Sequence, residues 1–246
     1  MLASGTTIDP QEIERFATQA NAWWDPEGSF RPLHRLNPIR LGFIRQHLAA
    51  HFGRSTSSLR PFEGLTLLDI GCGGGLVAEP MSRLGFAVTA IDADLEAITV
   101  ARMHAEATGL SIDYRVATAE SMAGTVQQYD ALVALEVIEH VADLYVFLRS
   151  VGSLVRQGGV FMGATLNRTG LSFASAVIGA EYLLGWLPRG THDWRKFIRP
   201  SELVLGLRRN GLNPTELTGV SYDWTRGEWS LSRDLEVNYM VMAVQR

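Results

Sequence analysis

The chain has 246 residues and a single cysteine, Cys72, which excludes an intramolecular disulfide and any cysteine-rich metal centre. It has no surplus of basic residues. Lys and Arg number 22 against 26 Asp and Glu, a formal net charge of −4, whereas a general nucleic-acid binder would be basic. Its apolar-rich stretch Leu171 to Leu187 is interrupted by Glu181 and falls short of the ~20 residues that cross a bilayer. The first residues carry neither an apolar signal core nor an Arg-rich amphipathic segment, so no export is expected and the cytoplasm is the expected compartment. Internal repeats and low-complexity tracts are also missing. What is present, 46% hydrophobic residues in a chain of this length, suits one α/β enzyme domain with a small insertion and a sizeable core.

Asp69-Ile70-Gly71-Cys72-Gly73-Gly74-Gly75 is the richest stretch. The apolar run Leu65 to Leu68 before it predicts a buried strand, and Leu76 to Leu84 after it predicts a helix. Glycines let the backbone turn sharply and approach a ligand closely, and the helix start offers free N–H groups to that ligand. Cys72 fits the loop as a small side chain rather than as a nucleophile. Asp92 ends the next apolar run, Ala87 to Ile91, about 20 residues on, where such folds place a carboxylate on a ribose. Read from Gly71, the dinucleotide pattern G-x-G-x-x-G fails at Leu76; read from Gly73, its looser form ending in Ala78 fits. The pattern D-x-G-x-G-x-G resembles the first motif of S-adenosylmethionine-dependent methyltransferases. An NAD-dependent oxidoreductase and a merely structural turn stay open at this point.

Strands and helices alternate through the remainder. Asp94 is placed to cap a helix from Leu95 to Thr108, ended by Gly109. Ile112 to Val116, Ala131 to Leu135 and Val160 to Thr165 read as further strands, the last after a turn at Gln157-Gly158-Gly159. Asp143 to Leu154 has helical spacing, and Ser201 is expected to cap a helix reaching Asn210. Segments near Thr215 to Val220 and Asn238 to Val244 complete seven strands. The predicted fold is α/β, a Rossmann-like, seven-stranded, mostly parallel sheet flanked by helices. Residues 1–60 are expected to form an N-terminal helical cap with a polar linker at 54–60, and 61–246 the main domain.

Glu136, Glu139 and His140 follow the predicted strand ending at Leu135, where ligands of an open α/β sheet collect. Two carboxylates and an imidazole at this spacing suit a hard divalent cation, or they cap a helix and pair with neighbours.

The N-terminal segments Trp23-Trp24-Asp25, Gly28-Ser29-Phe30 and Pro32 to Arg40 are not general methyltransferase features. With Asp69–Gly75, Glu136–His140, Thr165-Leu166-Asn167-Arg168, Gly179-Ala180-Glu181-Tyr182, Gly190-Thr191-His192-Asp193 and Asn238-Tyr239-Met240, they make the chain resemble the ubiquinone-biosynthesis O-methyltransferase family from Phe16 onward. The resemblance implies a class I methyltransferase fold. It also implies O-methylation of polyprenylated intermediates, 2-polyprenyl-6-hydroxyphenol and 3-demethylubiquinol. Arg40, Gly71 and Asp92 are then implied to contact S-adenosylmethionine, with Leu135 giving backbone and apolar contact and Gly73 part of the same loop. Glu136, Glu139 and His140 are implied to be catalytic and to hold magnesium. Independently of the family, a phenol that titrates near pH 10 needs either a Lewis acid or a base, and His140 bound to metal could not take a proton through the same nitrogen.

Residues 166–200 read as an insertion. Its apolar part is followed by Arg189, Arg195, Lys196 and Arg199, with Trp194 and Phe197 between them. This pattern suits either a lid over the site or a segment lying on anionic lipid. A polyprenyl substrate favours the second, with the enzyme peripheral on the inner face of the membrane and in reach of other ubiquinone-biosynthesis enzymes. No nucleic acid is expected as a partner. A non-catalytic lipid-binding component of such an assembly is the remaining alternative. Trp23 and Trp24 are read either as packing or as a lid over the cofactor, and Arg40 as a bidentate partner for a carboxylate.

Overall fold

A computed structural model describes residues 22–174, 193–223 and 225–246. Among the described residues eight strands form one sheet in the order β3-β2-β1-β4-β5-β8-β6-β7. In chain order they are β1 Thr66–Ile70, β2 Ala87–Asp92, β3 Asp113–Val116, β4 Tyr129–Leu135, β5 Val155–Leu166, β6 Leu212–Asp223, β7 Glu228–Ser232 and β8 Asn238–Gln245. The first five run parallel, while β8 pairs antiparallel with both β5 and β6, and β7 antiparallel with β6. Among the described residues the helices of five residues or more are α1 Arg31–His51, α2 Ala78–Arg83, α3 Leu95–Ala107, α4 Ala119–Ala123, α5 Leu144–Leu154 and α6 Pro200–Arg209.

The two-residue period of a strand sorts its side chains between two apolar layers. Leu67, Ala131 and Val133 join Phe43, Ile44 and Leu48 of α1, Met81 of α2 and Ile98 and Ala101 of α3 on one face. Leu68, Leu132 and Ala134 join Met122 of α4, Phe147, Leu148 and Val151 of α5 and Leu203 and Leu207 of α6 on the other. Covering both faces explains why the central strands are apolar almost without break, as in β4, where every residue is buried. Helix α1 starts with Pro32 in its first turn, where a missing N–H costs nothing, and tolerates Pro38 further along. It belongs to the first apolar layer, while residues 53–60 after it are exposed.

Several expectations hold in detail. The Asp94 side chain accepts from the Glu96 N–H at 2.8 Å and starts α3, and Gly109 follows the helix with φ of 69°. Asp143 caps α5 by accepting from the Tyr145 and Val146 N–H groups. Others change. Ser201 is already inside the first turn of α6, whose start is closed by the Glu202 carboxylate accepting from the Arg199 N–H. The glycine pair at 158–159 lies within β5 as an irregularity in its pairing with β4. The sheet gains an eighth strand, β7, whose residues are mostly exposed and so lack the apolar signal that marked the others.

The chain crosses from one half of the sheet to the other between β1 and β4, which lie side by side. Their carboxyl ends therefore border the switch-point crevice where ligands of such sheets bind.

Candidate active site

Strand β1 delivers Asp69 and the glycine loop to this crevice, β2 delivers Asp92, and β4 delivers Leu135 and Glu136. The loop is fixed to β2 by backbone bonds from the Gly71 and Cys72 N–H groups to the Ile91 carbonyl, at 2.8 and 3.0 Å. Asp92 completes the join: one oxygen accepts from the Gly73 N–H at 2.8 Å, the other from the Asp94 N–H at 2.9 Å. Burial raises its pKa, opposed by these backbone donors. Gly71 and Gly73 have φ of 68° and 50°, which already favours glycine. A second reason was not visible in the sequence. A Cβ on Gly71 would collide with the Val137 side chain, and one on Gly73 with the Trp23 ring. The loop is bare because the protein's own side chains fill the space around it.

Arg40 reaches the crevice from α1. It is only 3% exposed and forms an ion pair with Glu136. A second guanidinium nitrogen donates to the Asn37 side-chain oxygen at 2.9 Å, and Nε has no partner. Asn37 in turn donates to the Leu76 carbonyl at 2.7 Å, which ties α1 to the end of the glycine loop. Asp69 is fully enclosed: the Ala78 N–H donates to its carboxyl, and Oδ2 has no partner. Burial, and next the charge of Asp92, push its pKa up to about 8 against the pull of Arg40. Asp69, Asn37 and Trp23 stood inside motifs that the sequence singled out, yet nothing in their spacing assigned them these roles.

Glu136 is the one non-glycine residue with positive φ among the described residues, at 53°. Its N–H donates to the Ala164 carbonyl, and Arg40 holds its carboxylate. Burial raises its pKa and Arg40 opposes the rise, although 27% of the side chain still meets solvent. Backbone strain of this kind persists where the surroundings over-determine it, and it gathers at functional sites. Glu139 lies in the short 3-10 turn Ile138–His140 and is 3% exposed. Its Oε2 accepts from the Thr165 hydroxyl at 2.6 Å, while Oε1 has no partner. His140 ends the same turn, its N–H donating to the Val137 carbonyl. Leu135 is buried at the end of β4.

The crevice thus gathers Arg40, Gly71, Gly73, Asp92, Leu135 and Glu136. The three expected metal ligands are neighbours in sequence without forming a ligand set. Glu136 is engaged by Arg40 and one oxygen of Glu139 by Thr165, and no group of three His, Cys, Asp or Glu among the described residues is spaced to share an ion.

The expected membrane segment is only partly described, since 175–192, with Gly179 to Tyr182, Arg189 and Gly190 to His192, lies outside the described residues. In the described part Phe197 is 1% exposed, so it belongs to the core and not to a surface. The Trp194 indole donates to the Thr169 carbonyl, and Arg195 pairs with Asp193. No helix among the described residues is long and apolar enough to cross a membrane.

Residues 68–163 match the family model described as a methyltransferase domain. The chain is 53% identical over 239 residues to the ubiquinone biosynthesis O-methyltransferase of Paramagnetospirillum magneticum, covering 97% of this chain and 96% of that protein. It is 53% identical over 241 residues to the protein of the same name from Parvibaculum lavamentivorans, covering 98% and 95%. Among solved structures it is similar to the magnesium protoporphyrin IX methyltransferase of Synechocystis with bound S-adenosylhomocysteine, at a TM-score of 0.65 and 16% identity over 96% of this chain and 94% of that one. This last likeness concerns the fold alone.

Proposed function

The chain belongs to the ubiquinone biosynthesis O-methyltransferase family, and from that premise we propose how its residues divide the work of methylating a phenol. It is an S-adenosylmethionine-dependent O-methyltransferase of ubiquinone biosynthesis, built on the class I fold. Family membership removes the oxidoreductase reading of the glycine loop.

The donor half rests on the buried atoms left without partners around the loop. Arg40 Nε offers an N–H for a carboxylate, and Asp69 Oδ2 an acceptor for an ammonium, so the residues fit the amino-acid tail of the donor. When bound, S-adenosylmethionine supplies an electrophilic methyl on a sulfonium. Arg40 holds the carboxylate end, Asp69 the ammonium end, and Asp92 the ribose through oxygen lone pairs its backbone donors leave unused. Gly71 and Gly73 meet the donor with backbone alone, since Val137 and Trp23 occupy the side a Cβ would take, and Leu135 gives an apolar wall. Holding the methyl in line with an acceptor oxygen can supply several kcal/mol of the barrier reduction.

The acceptor half rests on Glu139, a buried carboxylate with one oxygen steered by Thr165 and the other unpaired. A carboxylate so placed can accept a hydrogen bond from a phenolic hydroxyl, and Glu139 or His140 beside it takes the proton. The substrates proposed are 2-polyprenyl-6-hydroxyphenol and 3-demethylubiquinol. Magnesium on Glu136, Glu139 and His140 does not fit the arrangement described, because Glu136 would have to leave Arg40 first, and no step is derived through it. Magnesium titrated into the protein alone is expected to bind no tighter than the millimolar range.

A polyprenyl tail gains about 0.8 kcal/mol per buried CH₂ in lipid, which supports peripheral association with the inner face of an anionic membrane through residues 166–200. Co-sedimentation with liposomes should rise with anionic lipid and fall with salt. Contact with other ubiquinone-biosynthesis enzymes belongs to the same reading. The test of the whole is methyl transfer to a short-chain demethylubiquinol analogue, with calorimetric titration of S-adenosylhomocysteine and NAD beside it.

A further inference from the structure

The segment before α1 lies on the glycine loop through two tryptophans that do different things. Trp23 is buried and stacks on Phe30, ring centroids 3.8 Å apart and planes 9° from parallel. Its ring fills the space over Gly73 and Gly74 that a Cβ on either would need. Its carbonyl is paired with His34 Nε2 at 2.9 Å. Trp24 donates its indole N–H to the Gly74 carbonyl at 2.9 Å. The same indole lies flat on the His104 ring, centroids 3.5 Å apart and planes within 6°. His104 is fixed from the other side, its Nδ1 lying 2.6 Å from Glu79 Oε1. Glu79 is fully buried, and its second oxygen accepts from Arg83 at 3.1 Å.

The contacts form one path from α2 through α3 and the N-terminal segment to the loop. Glu79 orients the imidazole, the imidazole sets the plane of the Trp24 indole, and the indole N–H holds the Gly74 carbonyl. Glu79 and Arg83 are on α2, His104 is on α3, and the loop joins β1 to α2. An apolar contact alone would leave the loop free to shift along the ring faces. The hydrogen bond from Trp24 fixes one peptide, and nearby Gly73 donates to Asp92 at 2.8 Å. The peptide unit that Trp24 holds, between Gly74 and Gly75, is therefore separated by a single peptide unit from the one, between Cys72 and Gly73, that positions the expected ribose acid.

We propose that Trp24 and His104 are positioning residues for the methyl donor, acting through the Gly74 peptide to hold the glycine loop and Asp92 in the geometry that binds it. The proposal rests on the reading of the loop as the donor site. Neither residue touches the reacting atoms. A loop of glycines has more conformational freedom than other chain, so a device that holds it in one shape removes part of the ordering cost of binding.

The test measures S-adenosylhomocysteine affinity by calorimetry, and separate KM values for donor and phenol, in Trp24→Ala, Trp24→Phe and His104→Gln. Glutamine keeps a donor for buried Glu79, so His104→Gln removes the flat platform without orphaning that carboxylate. Loss of one hydrogen bond and a stacked ring predicts affinity about tenfold weaker in Trp24→Ala and a few-fold weaker in His104→Gln. Phenylalanine keeps the stack and loses the N–H, so Trp24→Phe should fall between wild type and Trp24→Ala. The loss should sit in the donor KM, with the phenol KM unchanged. Two results overturn the proposal: unchanged S-adenosylhomocysteine affinity in a Trp24→Ala protein that melts as a folded domain, or a fall in kcat with donor and phenol KM rising together. Failure of the wild-type protein itself to bind S-adenosylhomocysteine would instead overturn the reading of the loop as a donor site.

Discussion

The two sides of the crevice each keep buried atoms without partners, Arg40 Nε and Asp69 Oδ2 on one and Glu139 Oε1 on the other, but their backbones are held differently. Around the glycine loop the space is filled, with Val137 against Gly71, Trp23 against Gly73 and both Asp92 oxygens on backbone donors. At the end of β4 the backbone is strained at Glu136, and Glu139 keeps a buried oxygen with no partner. The difference matches the tasks proposed for the two sides. A donor that is the same in every turnover can be met by a surface fixed through packing. A phenol that must lose a proton needs a carboxylate or imidazole set where it can accept that proton, as on the short turn after β4. Arg40 joins the sides, since it pairs with Glu136 and keeps an unpartnered Nε, the atom proposed to meet the donor.

Removing that joint should have the largest effect. Arg40→Ala leaves Glu136 and Asn37 without their partner, and breaking a buried pair costs about 3 kcal/mol, less here to the extent that solvent reaches Glu136. Both stability and S-adenosylhomocysteine binding should fall, read by thermal melting and calorimetry; a variant that binds the ligand normally would separate Arg40 from the donor side. Next is Gly73→Ala, which adds a left-handed backbone cost of about 1–2 kcal/mol to a collision with Trp23. Donor affinity should drop, and Trp23→Ala in the same chain should recover part of it by removing the collision. Normal affinity in Gly73→Ala would mean the loop is less tightly filled than described.

Asp92→Ala should weaken S-adenosylhomocysteine binding by about 1.5–3 kcal/mol, the worth of a hydrogen bond to a charged group. Thr165→Val sharpens the comparison from the other side. It strips the donor from Glu139 Oε2, so kcat should fall about tenfold through the loss of about 1 kcal/mol or more of hydrogen bonding, with donor affinity unchanged. Thr165→Ser should restore turnover. Equal losses in donor affinity and kcat would show that the two sides are not separate.

The smallest effect is in protons. With Asp69 at about 8 when folded, against an ordinary 3.8, the folded protein binds more protons than the unfolded chain between those values. Stability from this group is therefore full below about 3.8 and declines as pH rises toward 8. If a donor ammonium pairs with Asp69, binding at neutral pH favours the ionised carboxyl and releases a proton. Calorimetry in buffers of different ionisation enthalpy should detect that release, and Asp69→Asn should abolish it.

The sequence made the glycine-loop side largely legible because the features that build it are local. An apolar strand, a glycine run, a helix start and an acid at the end of the next strand all fall within Thr66 to Asp92. The reason for the glycines was not legible, since Trp23 and Val137 meet them from distant parts of the chain. The same holds for Arg40 on Glu136 and Thr165 on Glu139, contacts across 96 and 26 residues that depend on how α1 packs on the sheet and how β4 lies beside β5. Glu136, Glu139 and His140 look like one ligand set when read along the chain, and the fold gives two of them other partners. Strand β7 is not legible in the sequence because an exposed edge strand has little apolar alternation to show.

Methyl transfer from labelled S-adenosylmethionine to a short-chain catechol analogue, in wild type and Thr165→Val, tests the division of the crevice most directly. The division predicts label on a phenolic oxygen, inhibition by S-adenosylhomocysteine, and a Thr165→Val protein that binds the donor like wild type while transferring about tenfold more slowly. A wild-type protein that binds S-adenosylhomocysteine yet labels no phenol would contradict it and leave a donor-binding component without turnover.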